Sequence, residues 1–299
     1  MKNIVKIAFL AAIALAASCN RQVPENVADF DDSLITFTTR TAETRATEVT
    51  TANLTSFNVI ATTGTTTQSS VWTDGVFSGS QGGNYTGGKY WPASQVTWNF
   101  YAANAAINFV ASGSTITVQN CNTDIVADYI EGAGYKTTNA LTFEHILAQV
   151  GTVTMKAPAG YTVTELKVSL NPVYTGTYNI KANTWTRGSA ASAAYVVGTA
   201  STGVSINTAG GSFTSNDNDL WLVPGQYELT ASYRIAKGDF NQTYTKHATV
   251  TLLQGYNNNL GLPNGNDPNI PDPGNDISDI IFTVSVTPWD TTTITANFN

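Results

Sequence analysis

This sequence has few cysteines, few histidines and a low share of charged side chains. The 299 residues include two cysteines and two histidines, and charged residues make up 12% of the chain. The histidines, His145 and His247, lie in different blocks of sequence, and only one thiol, Cys121, lies beyond the N-terminal region. These groups are too few for a zinc site and give no nucleophile–histidine pair for a hydrolase. We therefore predict a protein that is not an enzyme, with no metal site and no cofactor.

Basic residues are scarce as well. The chain has 14 Lys and Arg against 21 Asp and Glu, a net charge of −7, and no basic cluster follows the N-terminal residues. Because proteins bind nucleic acids mainly through the phosphates, this charge balance argues against a nucleic-acid partner.

The N-terminus has the order of a bacterial export signal. Two lysines precede the apolar stretch Ala8–Ala17, which is too short to span a bilayer, and Ala16-Ala17-Ser18 leads directly into Cys19. A cysteine directly after small residues is typical of a lipoprotein, in which a thioether-linked lipid becomes the membrane anchor. We predict a signal peptide over residues 1–18 and lipidation at Cys19; the alternative is a conventional cut nearby, without lipid.

The other thiol and the two histidines have ordinary structural interpretations. If Cys19 carries lipid, Cys121 has no disulfide partner, and we expect it to be a small buried hydrophobe. His145 lies between Phe143 and Leu147 and is predicted to be a hydrogen-bonded core residue. His247 is predicted to be exposed on a strand.

Threonine, glycine, asparagine, valine, isoleucine and aromatic residues are abundant, which favours strands joined by turns. The pattern predicts an all-β protein, with one short helix over Asp124–Ile130 and extended structure for the ambiguous Leu141–Val150. The predicted divisions are residues 1–18, a segment 19–46 with tether and first strand, a first β-domain 47–160, a second β-domain 161–262, a proline-rich connector 263–279 and a terminal strand segment 280–299.

The terminal segment is apolar on one face only. Ile280, Phe282, Val284 and Val286 share one parity, so they lie on the same side of an extended chain. An apolar strand beyond a flexible connector is prone to aggregate unless a groove receives it. That groove belongs either to the same molecule or to a neighbour.

Several motifs occur in a characteristic order along most of the chain. They are the lipobox-like Ala16–Cys19, the strand Ile35–Phe37 followed by Thr44–Ala46, Trp98–Ala102, Leu141–Ala148, Trp221–Gly225 and Ile281–Trp289. Together they resemble the fimbrillin family of Bacteroidetes surface lipoproteins, which are the subunits and accessory pilins of type V pili.

The resemblance implies two transthyretin-like β-sandwich domains in tandem and assembly by strand exchange. Leu34, Ile35 and Phe37 would belong to a first strand that an Arg-specific protease removes by cutting after Arg45 or, alternatively, Arg40. The strand Ile280–Val286 of a neighbour would then fill the groove. The implied role is a shaft, tip or anchor subunit of a fimbrium at the cell outer membrane. Its implied partners are other pilin subunits, membrane lipid through Cys19 and a surface receptor or glycan.

A second hypothesis is a lipid-anchored glycan-binding protein of a polysaccharide-uptake system. Tyr85, Tyr90 and Trp91 flank a glycine-rich loop and would form an exposed shelf for sugar rings. The competing interpretation is that the tryptophans of this region, Trp72 and Trp98 among them, belong to the core.

The anchor leads to a first prediction. Cys19→Ala should leave the protein unlipidated and poorly delivered to the outer membrane, because no other residue can form the thioether. Metabolic labelling with a tagged fatty acid measures this directly. Labelling of the variant at the wild-type level would refute the assignment of Cys19.

Overall fold

The computed structural model describes residues 30–41, 49, 53–80, 83–92, 96–136, 139–155, 162–199, 211–213, 220–261, 283–288 and 294–296. Within these ranges the regular structure is entirely β-strand, which confirms the all-β class. No helix in the same ranges is both long and apolar enough to cross a membrane. The predicted signal peptide and Cys19 lie outside the described residues.

The first half of the chain forms eight strands. They are β1 (Phe30–Thr41), β2 (Ser56–Thr63), β3 (Ser69–Ser78), β4 (Tyr85–Pro92), β5 (Trp98–Ala103), β6 (Thr115–Val118), β7 (Val126–Ala133) and β8 (Asn139–His145). All except β6 lie on one closed path of hydrogen-bonded neighbours, in the order β1-β4-β3-β2-β5-β7-β8.

Two pairs of neighbouring strands on this path are joined by very few paired residues. Strands β3 and β4 share the single pair Ser78–Thr86, and β7 and β8 share only Val126–His145 and Ala127–Glu144. These two short pairings divide the path into a four-stranded face, β3-β2-β5-β7, and a three-stranded face, β4-β1-β8. Strand β1 is the middle strand of the smaller face.

Strand β5 lies between two hydrophobic cores. All six of its residues are buried, although alternation sends neighbouring side chains to opposite sides. Trp98, Phe100 and Ala102 belong to the core of the first half, whereas Tyr101 and Ala103 belong to the core of the second half. A strand buried on both faces explains the continuous apolar character of this segment.

The second half contains twelve strands. They are β9 (Ala148–Met155), β10 (Thr162–Leu170), β11 (Gly176–Asn179), β12 (Thr184–Arg187), β13 (Tyr195–Thr199), β14 (Gly211–Phe213), β15 (Leu220–Leu222), β16 (Gly225–Lys237), β17 (Phe240–Leu252), β18 (Tyr256–Gly261), β19 (Thr283–Pro288) and β20 (Ile294–Ala296). One sheet has the order β13-β10-β16-β17. Another has the order β14-β9-β18-β19-β20, with β15 also paired to β9.

The two halves are joined by hydrogen bonds as well as by apolar contact. Strand β6 pairs with β11, so the small sheet β12-β11-β6 takes strands from both halves. Beside it, the Lys181 ammonium donates to the carbonyl of Thr65 at 2.8 Å and to the Glu131 carboxylate at 2.9 Å. Strands on both sides of residue 160 contribute to one core. The division into two domains at this residue stays a prediction.

Two local predictions had different outcomes. The helix expected over Asp124–Ile130 is wrong: from Val126 this segment is strand β7, paired with β5. Tertiary pairing on both sides of the segment overrides the capping signal that suggested a helix. The extended structure expected for Leu141–Val150 is confirmed, since these residues enter β8 and β9.

Asn258 is fully buried and connects β18 to the strand and turn beside it. Its amide nitrogen donates to the carbonyls of Gln149, Leu253 and Tyr256 at 3.1, 3.3 and 2.8 Å, and its oxygen accepts from the Leu253 N–H at 2.9 Å. One side chain therefore contacts four backbone groups, with the two amide hydrogens shared among three carbonyls.

Asn258→Ala should lower the free energy of unfolding by about 2–4 kcal/mol, because it removes the hydrogen bonds of a fully buried side chain to four backbone groups. Chemical denaturation measures the loss. The matched control is Asn108→Ala, since Asn108 is exposed and its amide bonds only to Thr117 among the described contacts. Equal stability of the two variants would show that the Asn258 contacts contribute little.

Candidate functional site

The backbone of β1 is hydrogen bonded along both edges. It runs antiparallel to β4, with Thr36 opposite Thr86 and Phe37 opposite Tyr85. It runs parallel to β8, with Phe37 opposite Asn139 and the ladder continuing to Thr41 opposite Phe143. No other strand joins β4 to β8 within the described residues. The first strand predicted from Leu34, Ile35 and Phe37 therefore forms, and it completes the three-stranded face.

Two side chains of β1 enter the first core, where both are 0% exposed: Ile35 and Phe37. The Phe37 ring meets three phenyl rings edge to face, those of Phe57, Phe77 and Phe100, at centroid distances of 6.0, 4.8 and 5.1 Å. Edge-to-face geometry places the positive edge of one ring against the negative face of another. The site of Phe37 is thus shaped for an aromatic ring.

Removal of β1 would leave a groove with a defined chemistry. The facing edges of β4 and β8 would lose their main-chain partners, and the apolar sites of Ile35 and Phe37 would open to water. Backbone groups that offer hydrogen bonds along an edge, with pockets for alternate side chains, are the features that receive an added strand. A groove of this kind would suit an extended peptide.

The chain that follows β1 is anchored separately from β1. The Val49 N–H donates to the Asp124 carboxylate at 2.9 Å, and the same oxygen lies 2.7 Å from Nδ1 of His145. Both side chains of the Asp124–His145 pair are buried, with 0% and 3% exposed. Residue 49 thus belongs to the body of the protein, and residues 42–48 lie between two fixed points. Sequence reasoning missed this role of Asp124, because the polar residues Asn122 and Thr123 before it gave no sign of a buried pair.

The two candidate cleavage residues differ in position. Arg40 lies within β1, where its backbone is opposite Thr142 of β8. Arg45 lies outside the described residues, between β1 and Val49.

The candidate donor segment is described in part. Val284 and Val286 lie in β19, opposite Leu260 and Asn258 of β18 in the same molecule. Ile280 and Phe282 lie outside the described residues. In this state β19 extends the sheet of its own second half.

The predicted shelf for sugar rings is not formed as expected. Tyr85 and Trp91 are 0% and 1% exposed, so they are core residues, and Tyr90 is half-buried. The Tyr85 hydroxyl donates to the carbonyl of Leu54, and the Trp91 ring stacks on Trp98 at 5.1 Å. Alternation along β4 places the Tyr85 and Trp91 side chains on the inner face of the strand. There they fill space in the core of the first half.

The predicted roles of the remaining thiol and histidines are confirmed. Cys121 is buried, and burial raises the pKa of its thiol to about 12, which leaves the sulfur unreactive at neutral pH. His145 is in the core beside Asp124, and His247 is exposed on β17. Among the described residues no three His, Cys, Asp or Glu side chains are placed to hold a metal ion.

A polar cavity of about 530 Å³ lies in the second half. Its lining includes Asn171, Arg187, Glu228 and His247. The Arg187 guanidinium is already engaged, because it lies 4.6 Å from the centre of the Tyr227 ring and donates to a backbone carbonyl at 2.9 Å.

The described residues thus define an all-β protein in which β1 closes the strand path of the first half. The model of the Fimbrillin-like family matches residues 44–289, so the chain belongs to that family. No curated protein matches the sequence.

A comparison with solved structures matches proteins from Bacteroides and Parabacteroides. A proposed cell adhesion protein from Bacteroides uniformis has 12% identity and a TM-score of 0.47, covering 86% of this chain and 98% of its own. One from Bacteroides ovatus has 14% identity and a TM-score of 0.46, covering 90% and 96%. A fimbrial assembly protein from Parabacteroides distasonis has 10% identity and a TM-score of 0.35, covering 88% and 98%.

Phe37→Ala should destabilise the uncleaved protein by about 3–5 kcal/mol, because it leaves a ring-sized cavity among three phenyl groups. Thr38→Ala is the matched control: it alters the adjacent residue, which is half-buried and lies outside this cluster. Denaturant unfolding of both variants gives the comparison. Similar losses for the two would mean that the groove does not depend on the aromatic site.

Proposed function

We propose that this chain is a structural or adhesive subunit of a type V pilus, assembled at the outer membrane by protease-triggered strand exchange. The observation that carries the proposal is the placement of β1. It is the middle strand of the smaller face, and a short stretch that contains Arg45 separates it from the anchored Val49.

In the precursor, β1 occupies the groove between β4 and β8. While it is covalently attached, its effective concentration at the groove is very high, so no other strand competes. Burial of Ile35 and Phe37 contributes on the order of 3–6 kcal/mol before ordering costs. After a cut, the same strand is a separate peptide that dilution can remove, and the groove becomes available.

The position of the two arginines favours Arg45 as the cleaved residue. Proteases bind their substrates as extended chains and require free backbone groups around the cut. The backbone of Arg40 is engaged with β8, whereas Arg45 lies between the two fixed points. A cut after Arg45 also leaves the Val49–Asp124 contact intact, so the body keeps its new N-terminus in place.

The C-terminal strand is the proposed replacement. Strand β19 pairs with β18 on one side and with β20, the last strand, on the other. It can therefore leave the body when the ladder with β18 opens, and residues 262–282 provide reach toward a neighbour. The proposed partners are other pilin subunits, lipid through Cys19 and a surface receptor or glycan; the proposed location is the outer membrane and the fimbrium.

The test compares Arg45→Ala with Arg40→Ala in cells that process the wild-type protein. Arg45→Ala should reduce processing at least tenfold and abolish SDS-resistant polymers, whereas Arg40→Ala should be processed normally. N-terminal sequencing of the mature protein identifies the cut, with Ala46 as the expected first residue. Wild-type polymer yield from an unprocessed Arg45→Ala protein would contradict protease-triggered assembly.

A further inference from the structure

One eight-residue pattern occurs twice in the sequence, once in β1 and once near the C-terminus. Asp-x-Ser-x-Ile-x-Phe-Thr describes Asp31–Thr38 and again Asp276–Thr283, with five of the eight positions identical. The first copy lies within β1, and the second copy leads into β19.

The identities include the positions that the groove constrains most. Among the β1 side chains that the structure describes, those of Ile35 and Phe37 enter the core, and their counterparts are Ile280 and Phe282. The intervening position, where Thr36 is only half-buried, differs: its counterpart is Ile281. Identity at the buried positions, with change between them, is the pattern expected of two strands that fit one groove.

We propose that the C-terminal segment enters the groove of a neighbouring copy in the direction and register of β1, with Ile280 in the site of Ile35 and Phe282 in the site of Phe37. This inference rests on the proposed function, since it requires β1 to leave first.

The aromatic site selects this register. Three phenyl rings surround Phe37, so a ring at that position restores the edge-to-face contacts, whereas a valine leaves a cavity. A shift by two residues would place Val284 there. A shift by one residue would turn the whole apolar face outward.

The two edges of the groove select the direction. A strand that runs as β1 does keeps the antiparallel ladder with β4 and the parallel ladder with β8. A reversed strand with Phe282 in the same site would need the opposite pattern on both edges, and it would place the smaller Val284 where Ile35 lies.

The second copy is also the more apolar of the two. At the next positions of the same parity β1 carries Thr39 and Thr41, whereas the C-terminal segment carries Val284 and Val286. Valine gains more than threonine from leaving water, because it lacks the hydroxyl. At these two positions the C-terminal segment therefore offers more apolar surface than β1 does.

Cysteine cross-linking between two processed proteins tests direction and register together. One carries Ile281→Cys or Thr283→Cys, and the other carries Thr86→Cys or Ala140→Cys; Cys121 remains because its thiol is buried. Since Thr36 lies opposite Thr86 and Thr38 opposite Ala140, the proposal expects disulfide-linked dimers from Ile281 with Thr86 and from Thr283 with Ala140.

The other outcomes are distinct. Cross-links from Thr283 to Thr86 and from Ile281 to Ala140 would show the reversed direction and overturn the inference. A cross-link from Thr283 to Thr86 alone would show a two-residue shift and overturn it as well. Both results would leave strand exchange standing, whereas the absence of any polymer from processed wild-type protein would remove the proposed function itself.

A composition-matched variant tests the aromatic site. The double variant Ile280→Phe, Phe282→Ile has the same residues in the wrong order, and processed protein carrying it should polymerise at least tenfold more slowly than wild type. The control Ile281→Thr, which installs the β1 residue at a position outside the core, should stay within about twofold. Wild-type polymerisation by the double variant would overturn the register.

Discussion

The contact on which the core of the first half depends is the insertion of Phe37 among three other phenyl rings. Phe37 is carried by a strand that is hydrogen bonded on both edges, so one segment supplies an aromatic anchor and two main-chain ladders. Sandwich domains ordinarily distribute such contributions over several strands. Here the strand nearest the N-terminus holds the middle of the smaller face, and this makes the domain sensitive to a single cut in the chain.

A second set of contacts limits what that cut would disturb. The buried Asp124–His145 pair holds Val49, and Lys181 and strand β6 hold the first half to the second. None of these contacts includes β1. Side chains and strands outside β1 therefore hold Val49 and the junction of the two halves in place.

The sequence predicted much of this arrangement. Alternation marked Ile35 and Phe37 as one face of a strand, and the all-β class followed from composition and turn residues. The helix expected near Asp124 failed, because local capping signals do not report pairing with β5 on one side and β8 on the other. The prediction of an exposed aromatic shelf around Tyr85 was wrong for a related reason. The sequence shows that aromatic residues cluster here, but only the packing shows on which side of the strand their rings lie.

The sequence by itself determined the all-β class, the position of most strands and their apolar faces, and the presence of a second copy of the β1 pattern. These properties follow from alternation and residue type, and they are local. The tertiary structure decided that β1 lies between β4 and β8, that Arg40 is held in a ladder and that Asp124 reaches Val49 across 75 positions of the chain. Such pairings depend on which distant edges meet, and no local pattern encodes that choice, because many strands present equally suitable backbone edges.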